Sequence, residues 1–163
     1  MKVVIISDLH DNLVNLKKCL NWCQQQSVEK LICCGDLTNS ETLKALATGF
    51  TKTIYLVKGN IEIYDQAELS QFSNINYFGQ DGSFILAGRK VGLCHPPSLV
   101  DKILNQGQCD IIFYGHTHQP WLDEKSGVKI VNPGTMAGMF NKATFAIWQP
   151  EKELIELKIL ELI

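Results

Sequence analysis

The chain contains a single arginine, Arg89, and no run of about 20 consecutive apolar residues of the kind a membrane-spanning helix needs. The opening MKVVIISDLH turns polar too early for a secretory leader. No membrane association is expected, and the expected compartment is the cytoplasm. A strong net charge is also lacking: 15 Lys plus Arg stand against 17 Asp plus Glu, a formal charge of -2. That balance gives no global basic field to hold nucleic acid. Repeated C-x2-C pairs are absent too. The six cysteines, Cys19, Cys23, Cys33, Cys34, Cys94 and Cys109, lie on apolar runs, so reduced core thiols are expected rather than a disulfide framework or a cysteine zinc site. No internal repeat, linker or low-complexity tract divides the 163 residues, so one domain over 1–163 is expected; 45% hydrophobic residues suffice for its core.

What is present is an alternation of short β-branched runs and amphipathic stretches. Val3-Val4-Ile5-Ile6 reads as a buried strand, and Leu13, Leu16, Leu20 and Cys23 then recur at helical spacing. Leu31-Ile32-Cys33-Cys34 is a second strand, after which Thr38-Asn39-Ser40-Glu41 has the pattern of a capping box for a helix through Leu43 and Leu46 that stops at Gly49. Thr53 to Val57 makes a third strand, with another helix start at Asp65 to Glu68. Three βα units predict parallel strands. Shorter strands follow, at Phe84 to Leu86 and Val91 to Cys94, then a helix capped by Ser98 over Leu99 to Leu104 and a buried strand at Ile111 to Tyr114. Thr144 to Trp148 and Leu154 to Ile159 form a final hairpin, read as part of a second, largely antiparallel sheet. The predicted fold is an α/β four-layer α/β/β/α sandwich of two mixed β-sheets flanked by helices.

Each strand ends in a group able to bind metal, where α/β sheets place their ligands. Asp8 and His10 follow the first strand, Asp36 the second, Asn60 the third, His95 the Val91 run, and His116 and His118 the Ile111 run. A lone His at a strand end is ordinarily a hydrogen-bonded surface or core residue. Here all four histidines of the chain fall in this series, and a convergent His and carboxylate set marks a site. Two carboxylates, one amide and four imidazoles exceed one tetrahedral site but suit two divalent ions sharing a carboxylate, for which Asp36 is the best placed. The i, i+2 spacing of Asp8/His10 and His116/His118 predicts paired side chains on one side of an extended backbone. Gly35, Gly59 and Gly115 precede ligands and allow close backbone approach.

The motifs SDLHDN (7–12), GDLTN (35–39), KGNIE (58–62), LCH (93–95), YGHTHQP (114–120) and the later NPGT (132–135) together resemble the ordered motifs of the calcineurin-like metallophosphoesterase superfamily, in its small bacterial and archaeal phosphodiesterase branch. The resemblance covers nearly the whole chain. It implies a metal-dependent phosphodiesterase with one ion on Asp8, His10, Asp36 and His118 and another on Asp36, Asn60, His95 and His116. A bridging hydroxide would be the nucleophile, Asp36, Asn60 and His116 would take part in catalysis, and Asn12 would help position the substrate phosphate. Manganese is the expected metal, with iron, nickel, cobalt and zinc also compatible with nitrogen and oxygen ligands. The partner implied is a phosphate ester, and a homo-oligomer is compatible.

Two positions depart from the family pattern. Where it often has GNH, the chain has Ile61, which can neither give nor take a proton; Glu62 beside it reads as a solvated carboxylate. Asp11 stands where the family usually has Gly, and Asp tolerates a left-handed backbone well. The alternative function is a non-catalytic interaction scaffold, the role of one eukaryotic trafficking subunit of similar fold; such a protein would be expected to have lost ligands, and here every position is filled. A metal-storage role fits a shared carboxylate less well than hydrolysis does.

Overall fold

Residues 1–107 and 109–163 are described by a computed structural model. Sheet one contains β1 (Val3–Ile6), β2 (Lys30–Cys33), β3 (Ile54–Leu56), β4 (Ile75–Tyr77), β10 (Thr144–Gln149) and β11 (Leu154–Ile159), in the order β11-β10-β1-β2-β3-β4. Sheet two contains β5 (Asp81–Leu86), β6 (Arg89–Cys94), β7 (Ile111–Phe113), β8 (Pro120–Lys125) and β9 (Val128–Pro133), in the order β5-β6-β7-β9-β8. Helices α1 (Leu13–Gln25) and α2 (Ser40–Gly49) cover one sheet and α3 (Ser98–Asn105) the other. This is the expected four-layer sandwich.

Alternation along the strands explains the layers, because successive side chains point to opposite faces. Val3 and Ile5 pack between the sheets with Val91, Leu93, Phe113 and Trp148, while Val4 and Ile6 pack outward with Leu16, Leu20, Leu43 and Leu46 of the helices. Both faces of β1 are therefore buried, which is why its sequence is an unbroken apolar run. On the far side, Val100 and Ile103 of α3 meet Ile112 and Ile130.

Four local expectations are revised. The cap of α2 is Asn39, whose side chain accepts from Thr42 N–H, not Thr38. Ser98 is the first residue of α3 rather than its cap, since the preceding Pro97 already has helical backbone angles. The Asp65 capping box forms, but it opens a six-residue 3-10 helix, Gln66–Gln71. The C-terminal hairpin joins sheet one through antiparallel pairing of β10 with β1. Strands β8 and β9, which complete sheet two, have no counterpart in the periodicity reading; every residue of β8 after Pro120 is exposed, whereas the second half of β9 is buried.

Parallel pairing sets the position of the site. β1, β2 and β3 run parallel with Ile6 beside Cys33 and Cys33 beside Leu56, so the loops that follow lie side by side. β6, β7 and β9 do the same in sheet two, with Leu93, Phe113 and Val131 in register.

The cysteines are free thiols, five buried and Cys109 half-buried. Burial pushes the Cys94 thiol up to about 12 and likewise raises Cys33 and Cys34, which suppresses the reactive thiolate. Brief alkylation of the native protein is expected to modify Cys109 first and the other five only on unfolding, as read by mass spectrometry. Rapid labelling of Cys33 or Cys34 would contradict the packing described.

Candidate metal centre

The seven predicted ligands come together. Asp8 Oδ1 lies 3.3 Å from His118 Nε2 and 3.8 Å from His10 Nε2. Asp36 Oδ2 lies 3.3 Å from His95 Nε2 and 3.9 Å from His10 Nε2, so one carboxylate oxygen faces both halves of the cluster. Asn60 Oδ1 is 2.8 Å from His95 Nε2 and 2.8 Å from His116 Nδ1. Burial is graded: Asp8, Asp36 and His95 form a buried floor, His10 and His118 are half-buried, and Asn60 and His116 are exposed at the rim.

The backbone at this cluster is strained. Asp8, His10, Asp36, His116 and His118 all have φ between +43° and +72°, a region that residues other than glycine enter sparingly. This corrects the expectation for the two i, i+2 pairs. Their side chains converge because left-handed turns coil the backbone back at each ligand, not because it is extended. Asp11 is left-handed as expected, at φ 60°, and its carboxylate accepts from Asn39 N–H and Thr42 Oγ1 at the start of α2.

Glycine is required where the loops cross. A Cβ on Gly59 would lie 2.0 Å from Asp36 Oδ1, and one on Gly35 would lie 2.7 Å from Gly59 N. Each contact is far inside van der Waals distance, so the GD and GN loops pack only with a bare backbone at both places.

Glu62 departs from the solvated role expected of it. Its carboxylate accepts from Thr38 N–H at 2.8 Å, Gly59 N–H at 3.1 Å and Leu37 N–H at 3.2 Å, clamping the loop after β2 to the loop after β3. Burial raises its pKa despite these three donors. Ile61 contributes through its backbone: its N–H donates to Asp36 Oδ1. Asn12 caps α1 by accepting from Asn15 N–H, and its amide donates to Ala137 O.

The NPGT segment, noted in the sequence only as part of a resemblance, braces the site. Buried Asn132 donates to Gly115 O and Thr117 Oγ1 and accepts from Gly134 N–H. Thr135 Oγ1 donates to Asp8 O, while Met136 and Ala137 N–H groups donate to Ser7 O and Asp8 O. These bonds tie the end of β1 to the loop bearing His116 and His118. The buried polar residues around strand ends were the available signal, but polarity alone does not tell a brace from a ligand.

The donor set fits divalent cations. His95 Nδ1 lies 2.7 Å from Cys34 O and can act only as donor there, so in the neutral imidazole Nε2 turns a lone pair toward Asp36 and Asn60 Oδ1, themselves acceptors. His10 Nε2 and His118 Nε2 face each other at 3.0 Å, and Asp8 Oδ1 is buried with no hydrogen-bond partner among the described residues. Converging acceptors need positive charge between them. Burial opposes ionisation of Asp36, yet the adjacent His95 holds its pKa below the usual range; burial likewise opposes charge on His95, and Asp36 raises its pKa. A proton or a metal answers the same demand.

Residues 1–153 match the Calcineurin-like phosphoesterase superfamily domain. The chain belongs to that superfamily. Its members bind divalent metals, in keeping with the acceptor cluster. The chain is 28% identical over 168 residues to a phosphodiesterase of Methanocaldococcus jannaschii, covering 99% of this chain and all of that one. It is 25% identical over 154 residues to a phosphodiesterase of Escherichia coli, covering 84% of this chain and 80% of that one. Among solved structures, an archaeal phosphodiesterase superposes with a TM-score of 0.88 at 25% identity, over 98% of this chain and 99% of that one. Vps29 of Entamoeba histolytica, solved with zinc, gives a TM-score of 0.72 at 17% identity over 98% and 99%, a likeness of fold alone.

Removing the Glu62 clamp tests how far this metallophosphoesterase scaffold depends on it. Glu62→Ala leaves three backbone N–H groups without their acceptor and is expected to destabilise by about 1–3 kcal/mol, with weaker metal retention. Glu62→Gln, which keeps one acceptor oxygen, should lose less. Thermal melts of the three proteins decide it, and a Glu62→Ala protein as stable as wild type would remove the clamp from the account.

Proposed function

We propose that residues 1–163 act as one cytoplasmic catalytic domain, a dinuclear metal-dependent phosphodiesterase. The observation that carries the reading is the position of Asp36 Oδ2, within 4 Å of both His95 and His10 and so facing two groups of acceptors at once. In this reading Asp8, His10, Asp36 and His118 hold one ion, and Asp36, Asn60, His95 and His116 the other, with manganese preferred and iron, nickel, cobalt or zinc also suited to the donors. The relatives named as phosphodiesterases support diester substrates.

Two divalent ions, when bound, supply a hydroxide nucleophile at neutral pH and neutralise charge developing on the phosphate. The chain supplies orientation. Cys34 O fixes the His95 ring, Ile61 N–H holds Asp36, and the Asn132 and Thr135 bonds hold the loops carrying Asp8 and His116. In this assignment Asp36, Asn60 and His116 take part in catalysis, and Asn12 helps position the substrate phosphate. A scaffold without catalysis would have no need of seven intact candidate ligands, five of them on strained backbone.

Metal analysis of protein purified without chelator is expected to find about two divalent ions per chain. Asp36→Asn should lose both ions and lower activity by at least about 100-fold, whereas Asn60→Ala should weaken one site and cost less. Absence of metal uptake even with added manganese would end this reading; equal, mild effects of the two substitutions would end the bridging role of Asp36.

Ile61 shapes substrate preference. Its side chain, 39% exposed at the rim, offers no proton to a departing alkoxide, and general acid catalysis contributes typically about 10²–10⁴-fold. Activated diesters such as bis(p-nitrophenyl) phosphate should therefore be hydrolysed well and alkyl phosphomonoesters poorly. Ile61→His is expected to accelerate esters of poor leaving groups selectively. Rates on esters of graded leaving-group pKa provide the check, and a wild-type rate independent of leaving group would show that a proton donor is already present.

A further inference from the structure

Edge strand β11 carries Glu156 and Lys158, charges of opposite sign two residues apart, so they do not repel a second, antiparallel copy of the strand. The other edges are guarded differently: β4 has three residues, β8 begins with Pro120 and bears two charges of like sign, Asp123 and Glu124, and Lys102 of α3 pairs with Asp81 at the start of β5 at 2.7 Å. β11, Leu-Ile-Glu-Leu-Lys-Ile, has six residues, no proline and no glycine.

Its free backbone groups can be assigned. Leu160 N–H donates to Ala143 O, which makes the adjacent Thr144–Ile159 pair a non-hydrogen-bonded one. Alternation along the ladder then makes Ala146–Leu157 and Trp148–Ile155 non-hydrogen-bonded as well. The N–H and C=O groups of Ile155, Leu157 and Ile159 consequently point away from β10, toward the open edge.

We infer that the chain forms a homodimer by antiparallel pairing of β11 with β11 of a second copy, the two-fold axis passing at Leu157. In that register Leu157 faces Leu157, Ile155 faces Ile159, and Glu156 faces Lys158 on both sides of the axis. The outward N–H and C=O groups of Ile155, Leu157 and Ile159 become hydrogen-bonded pairs. Charge selects the register, since an axis at Glu156 or Lys158 would set like charges directly opposite each other. The pairing also joins two six-stranded sheets edge to edge.

An apolar groove runs beside this edge, lined by Trp121, Leu122, Val131, Ala146, Ile155 and Leu157. Trp121 is 60%, Leu122 59% and Leu157 47% exposed, a contiguous apolar surface of the sort that marks an interface. The axis brings the two Leu157 side chains together at its mouth.

Light scattering coupled to gel filtration should give twice the 18.3 kDa chain mass. Lys158→Glu sets Glu opposite Glu156 at two places and is expected to weaken the dimer at least about tenfold. Exchanging both charges, Glu156→Lys with Lys158→Glu, restores opposite pairing and should restore the dimer. Leu157→Cys should cross-link on oxidation, because facing residues of a hydrogen-bonded antiparallel pair lie about 5.5 Å apart, within disulfide range. A strictly monomeric wild type, whether its edge stays bare or serves another protein, overturns the proposal. So does a dimer indifferent to Lys158→Glu that fails to cross-link through Leu157→Cys, or a double exchange that melts normally yet stays monomeric.

Discussion

Two buried carboxylates at the ends of neighbouring parallel strands set the terms for the rest of this structure. Asp8 and Asp36 are 0% and 2% exposed and lie in one cluster with His95. Anionic groups so placed repel each other and lack water, and such a pair persists only if positive charge is brought to it. The side chains gathered round it cannot supply much, for they are acceptors or imidazoles. Arg89, the only arginine, is paired with Glu153 and Asp110 at the start of β6. The demand for cations is thus built into the packing, which is the physical reason a metal-binding family uses this arrangement.

Holding that cluster has visible costs. Five of the seven candidate ligands sit on left-handed backbone, a conformation that costs of order 1–3 kcal/mol for each residue so held. The surroundings offset the strain with bonds that leave little freedom: Leu9 and His10 N–H both donate to Asp36 O, Asp8 N–H donates to Gly35 O, and Glu62 ties the next loop in. Strain and clamp are parts of one device, which pre-organises the donors before any ion arrives.

The two sheets divide the work. Sheet one supplies Asp8, His10, Asp36 and Asn60, and sheet two supplies His95, His116 and His118. The centre therefore depends on the apolar layer between sheets, where Val3, Ile5 and Ile32 meet Leu93, Phe113 and Val131. A change in that layer would shift one half of the cluster against the other. The Asn132 to Thr135 segment crosses this junction, which explains why a stretch with no metal ligand is so fully hydrogen-bonded.

Periodicity and residue chemistry are local properties, and they sufficed to read the order of βα units, the buried faces of β1, β2 and α1, and the seven residues that the fold gathers into one cluster. The sequence also marked Ile61 as unable to transfer a proton. Tertiary structure alone decided the rest. Glu62 became a clamp because two loops distant in sequence present three N–H groups to it, and Asp8/His10 converge through turns that no spacing rule records. The C-terminal hairpin changed sheets because strand partners are chosen by packing across the whole core. Strand β8 has no periodic signature because an exposed edge strand carries no apolar alternation to reveal it.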